Sequence, residues 1–117
     1  PTDLIDLINQ YGGEIPETYG VPVEEIQRGI RHGVRKINID TDLRLAATAA
    51  IRKVMATSKA EFDPRKYLGP SMKAMQKIVK ERYEQFGTAG YASKIKVIPA
   101  AEMAKRYAKG ELDPKIS

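Results

Sequence analysis

The run Val34-Arg35-Lys36-Ile37-Asn38-Ile39 is the one convincing strand in a chain whose other strongly patterned segments read as helices. It lies between Gly33 and the acidic Asp40-Thr41-Asp42, too short for a helix and rich in β-branched residues. A strand by itself leaves its backbone N–H and C=O groups without a ladder. Either the segment is not a strand, or its neighbours lie on another polypeptide or another part of the same protein. The order helix, loop, helix, strand, helix is that of the end of a repeating strand–helix fold.

The flanking segments set this expectation. Residues 2–11 carry Leu4, Ile5, Leu7 and Ile8 at helical spacing, with Thr2 as N-cap and Gly12-Gly13 as the stop. Residues 12–22 hold three glycines and two prolines and read as a loop. A second helix begins after Pro22, with Glu24 and Glu25 at its start and Arg31 and His32 at its end, charges that oppose the helix dipole. His32 is therefore read as a basic residue of a last helical turn. Residues 41–59 are strong helix formers with a narrow polar stripe of Arg44, Thr48 and Arg52, so this helix is expected to be largely buried.

Further on, Pro64 and Pro70 predict an extended or turn segment over 62–70. Met72, Met75, Val79, Tyr83 and Phe86 then predict the apolar stripe of a long helix. A Gly-rich turn, a brief extended piece at 96–98, a helix over about 99–108 and a polar tail close the chain.

Composition removes several chemistries. There is no cysteine, hence no disulfide, thiolate nucleophile or sulfur-ligated zinc, and the single histidine cannot build a His-rich metal site. The net charge of +5 is spread through the chain among acids, so a nucleic-acid partner is not expected. No run of eighteen apolar residues and no leader pattern is readable, so the expectation is a cytoplasmic protein without a membrane partner.

The junction Asn38-Ile39-Asp40-Thr41-Asp42 carries the chemistry. In an extended segment Val34, Lys36, Asn38 and Asp40 share one face, and Arg35, Ile37 and Ile39 the other. The helix that follows presents free N–H groups and a positive dipole end at the close of the strand, where anions bind. Asp40 or Thr41 can serve as N-cap. An inward Lys36 would need a carboxylate partner, so the polar column reads as the wall of a site.

The stretch "GGEIPETYGVPVEEIQRGIRHGVRKINIDTDLRLAATAAIRK", followed by "EFDPRKYLGPSMKAM", resembles the C-terminal third of a class II fructose-1,6-bisphosphate aldolase, of the subtype often found with Calvin-cycle enzymes. The Asn-Ile-Asp-Thr-Asp junction and the later Asp63-Pro64-Arg65 are its most specific elements. The resemblance implies an α/β fold, the end of a (β/α)8 TIM barrel over residues 1–59 with its last strand and helix, and an appended helical arm over 60–117 that joins subunits. As an isolated chain it is expected to be mostly α-helical. It implies reversible cleavage of fructose 1,6-bisphosphate to dihydroxyacetone phosphate and glyceraldehyde 3-phosphate, with a zinc ion polarising the ketone and stabilising the enediolate.

By the same resemblance Asn38 is catalytic, donating to substrate oxygens. Asp40 and Thr41 hold the dihydroxyacetone phosphate end, and Arg65 reaches an adjoining subunit to bind the second phosphate. The implied partners are a sugar phosphate, the remainder of the barrel and further copies in a dimer or tetramer. The zinc ligands are expected outside this segment, so the 117 residues alone are expected to be inactive. Lys36 is expected to face the barrel interior and pair with an acid, while His32, Arg44 and Arg52 are structural.

Two other readings compete. Asp40-x-Asp42 after a strand resembles the nucleophile and acid of haloacid-dehalogenase-type phosphatases, although Arg44 stands where that motif wants Thr or Val. A basic, non-enzymatic helical interaction module is the other.

Overall fold

Helix α3, Thr41–Thr57, is the element on which the others pack, and its small side chains explain why. Ala46 and Ala49 are almost fully buried and Leu45 nearly so, which lets neighbouring backbones come close on two sides. In the computed structural model, which describes residues 2–18 and 20–115, α1 (Thr2–Gln10) lies on one side. There Ile5 and Ile8 form the core with Leu45 and Ala49, edged by Leu4, Leu7 and Ile15. On the other side lies α4, Pro64–Gln85. The remaining helices are α2 (Val23–Arg31) and α5 (Ala100–Ala108), with a 3-10 turn at Ala92–Lys94.

The first two helices end where their sequences said they would. At α1, Gly12 adopts φ +84, its N–H bonds to the Asn9 carbonyl, and the Gly13 N–H reaches back to Ile8 at 2.9 Å. That is the Schellman closure, and Asn9 completes it by pairing with both backbone groups of Ile15 at 3.1 and 2.8 Å. Arg52 ties α3 to the same corner through the Gly12 carbonyl at 2.9 Å. The α2 end repeats the closure with Gly33 in the left-handed region and Val34 bonded back to Gly29.

Four expectations are corrected. The strand over 34–39 is absent: among the described residues there is no strand, and this segment is open, irregular backbone. No second strand among the described residues supplies a ladder; the Val34 N–H bonds back to Gly29 and its carbonyl accepts from the Arg35 side chain. The two-residue alternation survives nonetheless, because Ile37 and Ile39 are half-buried while Lys36, Asn38 and Asp40 are exposed.

The extended segment at 62–70 is instead the start of α4. Pro64 occupies the first helical position, where its missing N–H costs nothing, and Asp63 caps the turn by accepting from the Arg65 N–H at 3.0 Å. Pro70 lies inside the helix with its ring in solvent, and the carbonyl it leaves unpaired, on exposed Lys66, is open to water. Packing of α4 on α3 offsets that loss.

The packed stripe of α4 is also rotated from the one expected. Tyr67, Ser71, Ala74, Met75, Ile78 and Arg82 face the protein, whereas Met72, Val79 and Tyr83 are exposed. Ser71 is buried and donates to the Ala47 carbonyl at 3.4 Å. Helix α3 in turn is half-covered, not largely buried.

The chain is not closed on itself. Its accessible surface is 9584 Å2, against about 6,300 Å2 for a folded monomer of this mass. Its radius of gyration is 19.6 Å, against about 13 Å for a globule of this length. Val21, Phe62, Met72, Ile95 and Val97 are among the large apolar side chains left in solvent. A surface of that kind is one that other protein covers.

Gly13 gives a direct test of the α1 corner. A Cβ there would sit 2.8 Å from the Ile8 carbonyl oxygen, and against the Ile8 side chain. Gly13→Ala is expected to lower stability by about 1–3 kcal/mol. Gly69→Ala in α4 meets nothing within 4 Å beyond its chain neighbours, but the Pro70 ring disfavours a helical Cβ on the residue before it, so stability is expected to stay within about 0.5 kcal/mol. Urea unfolding followed by circular dichroism reads both.

Candidate functional site

The head of α3 gathers three of the residues singled out in the sequence. Asn38, Asp40 and Thr41 line one cleft of about 470 Å3, closed by the loop before α2 at Val21 and Pro22, by Arg82 of α4 and by Phe86 at the C-cap of that helix. Thr41 and Asp42 of the first turn of α3 line this cleft, and the first helical bond is from Arg44 N–H to the Asp40 carbonyl. Asp40 occupies the cap position but makes no side-chain cap bond. Its carboxylate is held by Arg44 instead, with both contacts at 2.8 Å.

Lys36 does not find a carboxylate. Its ammonium donates to the Asn38 amide oxygen, which an extended segment allows because side chains two apart share a face. Both groups are exposed, and among the described residues no acid pairs with Lys36.

Arg65 is not part of this cleft. Helix α4 runs antiparallel to α3, since Arg82, seventeen residues beyond Arg65, is bonded to Asp42 in the first turn of α3. At 1.5 Å per residue Arg65 sits about 25 Å away along the helix. Its guanidinium forks onto the Asp63 carboxylate at 2.7–3.1 Å and is otherwise exposed. The Arg65 side chain and then its backbone N–H hold the Asp63 carboxyl below the usual carboxylate range, and Asp63 in turn raises Arg65.

The ion pair between Arg82 and Asp42 is what sequence reasoning missed. It closes at 2.7 Å with both side chains mostly covered, 16% and 23% exposed, and links residues forty apart. Nη1 of Arg82 donates to the Gln85 side chain at 2.7 Å, and Gln27 of α2 donates to the Gln85 carbonyl at 2.9 Å. Nothing in the sequence pattern signalled it, because the stripe expected on this helix ran through Met75, Val79 and Tyr83 and passed Arg82 by.

Among the described residues no group of three or more His, Cys, Asp or Glu could hold a metal ion. His32 is exposed at the end of α2. The described residues therefore do not fit a zinc centre. A larger cleft, about 1170 Å3, lies between α4 and the 87–95 loop, lined by Lys77, Tyr83 and Tyr91 among others. Its amide, carboxylate and hydroxyl, on Gln76, Glu84 and Thr88, are not gathered at the head of an α-helix. No helix among the described residues is long and apolar enough to cross a membrane.

An amide, a hydroxyl and a helix N-terminus in one cleft are donors of the chemical kind that oxyanions accept from. The chain belongs to the class-II fructose-bisphosphate aldolase family, whose sequence profile matches residues 17–91. The family fold is a TIM barrel.

The fructose-bisphosphate aldolases of Sinorhizobium medicae and Pseudomonas aeruginosa are 66% and 62% identical to it over 97% and 100% of this chain. The chain spans about a third of their length, 32% and 33% respectively. A Rhodobacter capsulatus protein named fructose-bisphosphate aldolase 2 is 62% identical over 96% of this chain and 98% of its own length. Neither a phosphatase nor a non-enzymatic module is favoured by these matches.

The Asp63–Arg65 pair sets a pH dependence. A carboxylate depressed in the folded state adds stability above its ordinary value and loses it as pH falls through the depressed one. Protection of the Arg65 amide from hydrogen exchange is therefore expected to hold at neutral pH and fall in acid below the ordinary carboxylate range. Asp63→Ala is expected to abolish it at every pH. A side-chain NMR titration in which Asp63 titrates at or above an ordinary aspartate would contradict this.

Proposed function

We propose that this chain is the C-terminal third of a class II aldolase that reversibly cleaves fructose 1,6-bisphosphate to dihydroxyacetone phosphate and glyceraldehyde 3-phosphate. The observation that carries the reading is the cleft at the head of α3, where Asn38, Asp40 and Thr41 stand together in a chain of this family. Residues 34–39 are the last barrel strand, deprived of its ladder, and α3 is the last barrel helix. Residues 60–117 are the arm, which suits its exposed Ile95, Val97 and Tyr107 and a helix α5 with no buried side chain.

Each residue has a role its chemistry permits. The Asn38 amide donates to a substrate oxygen that gains negative charge, where a fixed donor is worth most. The Thr41 hydroxyl and the first-turn N–H groups receive a phosphate, and Asp40 accepts from a substrate hydroxyl. The zinc of this family is held by residues outside the segment, and the location is cytoplasmic.

Arg65 serves the site of an adjoining subunit in a dimer or tetramer. Its distance from Thr41 along α4 supports this, because one chain cannot bring the two to one small substrate. An exposed guanidinium already oriented by Asp63 is suited to fork onto a phosphate.

The experiment is subunit complementation in the complete protein. Asn38→Ala and Arg65→Ala are each expected to lower cleavage of fructose 1,6-bisphosphate by at least about tenfold. When the two inactive variants are unfolded and refolded together, half the dimers are mixed and each mixed dimer owns one intact site. Recovery to about a quarter of the wild-type rate is expected for a shared site. No recovery, with mixed dimers demonstrated by mass, would contradict the assignment of Arg65.

A further inference from the structure

We propose that Arg82 is a positioning residue for the anion end of this site, acting through Asp42, so that the arm tunes the phosphate affinity of its own chain. The inference rests on the reading of the α3 head as a phosphate site and adds to it a residue outside the Asn-Ile-Asp-Thr-Asp junction.

The argument is one of charge. Two carboxylates, Asp40 and Asp42, stand at the mouth of the cleft where a phosphate would dock. Acids in a first turn favour the helix, but each repels an incoming dianion. Both are covered by arginines, and the two pairs differ in burial. Arg44 and Asp40 are 78% and 66% exposed, so water and salt screen that pair and its removal changes little. The Arg82–Asp42 pair is mostly covered, so its charges act at a lower effective dielectric. An uncancelled Asp42 would be felt strongly by an anion in the cleft.

The geometry indicates a fixed, not a wandering, partner. Nη2 of Arg82 is on Asp42 and Nη1 on Gln85, at 2.7 Å each. The Gln85 carbonyl is in turn held by Gln27, so α2, α3 and α4 meet at this guanidinium. Arg82 lines the same cleft as Asn38, Asp40 and Thr41, with Nη1 and Nη2 each already bonded to a protein side chain. Its effect on a ligand therefore runs through Asp42 and the orientation of the first turn. Arg65 and Arg82, at opposite ends of one helix, would serve two different sites: the partner's and their own.

The test titrates inorganic phosphate by calorimetry into the complete protein and three variants, with steady-state cleavage measured alongside. Arg82→Met is expected to weaken phosphate binding by about tenfold. KM should rise by a similar factor, with kcat carrying the smaller share of the loss. Arg82→Met combined with Asp42→Asn is expected to return phosphate affinity to within about threefold of wild type, because the charge that needed cancelling is gone. A residue that merely held the fold would not be rescued in this way.

Asp42→Asn alone is expected to bind phosphate at least as tightly as wild type. It decides the matter even if Arg82→Met fails to fold. A double variant as weak as Arg82→Met, or an Asp42→Asn that loses phosphate affinity, would overturn the proposal. A wild-type protein that shows the phosphate pattern but does not cleave fructose 1,6-bisphosphate would overturn the aldolase reading and leave this one standing. Cleavage with phosphate affinities unmoved by any variant would do the reverse.

Discussion

Small side chains on α3 are the constraint from which the rest of this structure follows. Ala46 and Ala49 bury almost completely, and they let α1 approach from one side while α4 lies along the other. Close approach of α4 puts Ser71 on the Ala47 carbonyl and brings the far end of the same helix to Asp42. The cleft at the head of α3 is thus framed from behind by α4. A larger residue at Ala49 would push these elements apart and misplace Arg82 before it touched any site residue.

The second constraint is the backbone between α2 and α3. Residues 34–40 sit between a Schellman closure at Gly33 and the first turn of α3, and nothing within the chain bonds them as a strand. They keep the side-chain alternation of a strand without its hydrogen bonds. Ile37 and Ile39 line a cleft together with Leu43 and Phe86, leaving Lys36, Asn38 and Asp40 on the open side. Together with an accessible surface of 9584 Å2, this describes a surface built to meet more protein.

What was legible in the sequence was local. The ends of α1 and α2 were readable because Gly12 and Gly33 adopt positive φ, which few other residues do. The cluster of Asn38, Asp40 and Thr41 was readable because its members are nearly contiguous, so any local geometry keeps them together. The start of α4 was misread because Pro64 and Pro70 look alike in sequence, although one is favoured at a first helical position and the other is merely tolerated in an exposed interior. The stripe of α4 was misread because Met72, Val79 and Tyr83 fit a helical period as well as Tyr67, Ala74 and Ile78 do. Only the placement of α3 decides between the two faces. The Asp42–Arg82 pair, forty residues apart, leaves no local trace at all.

The central claim is that residues 34–39 are a strand waiting for its neighbours, with the site completed when they arrive. Amide hydrogen exchange at Ile37 and Ile39 tests it most directly, in the 117-residue chain alone and then with the rest of a class II aldolase barrel supplied as a separate polypeptide. These amides are expected to exchange at the open-chain rate alone and to become strongly protected on addition, as ladder bonds form. Amides that stay unprotected after the two polypeptides have bound, or that are already protected in the isolated chain, would contradict the account.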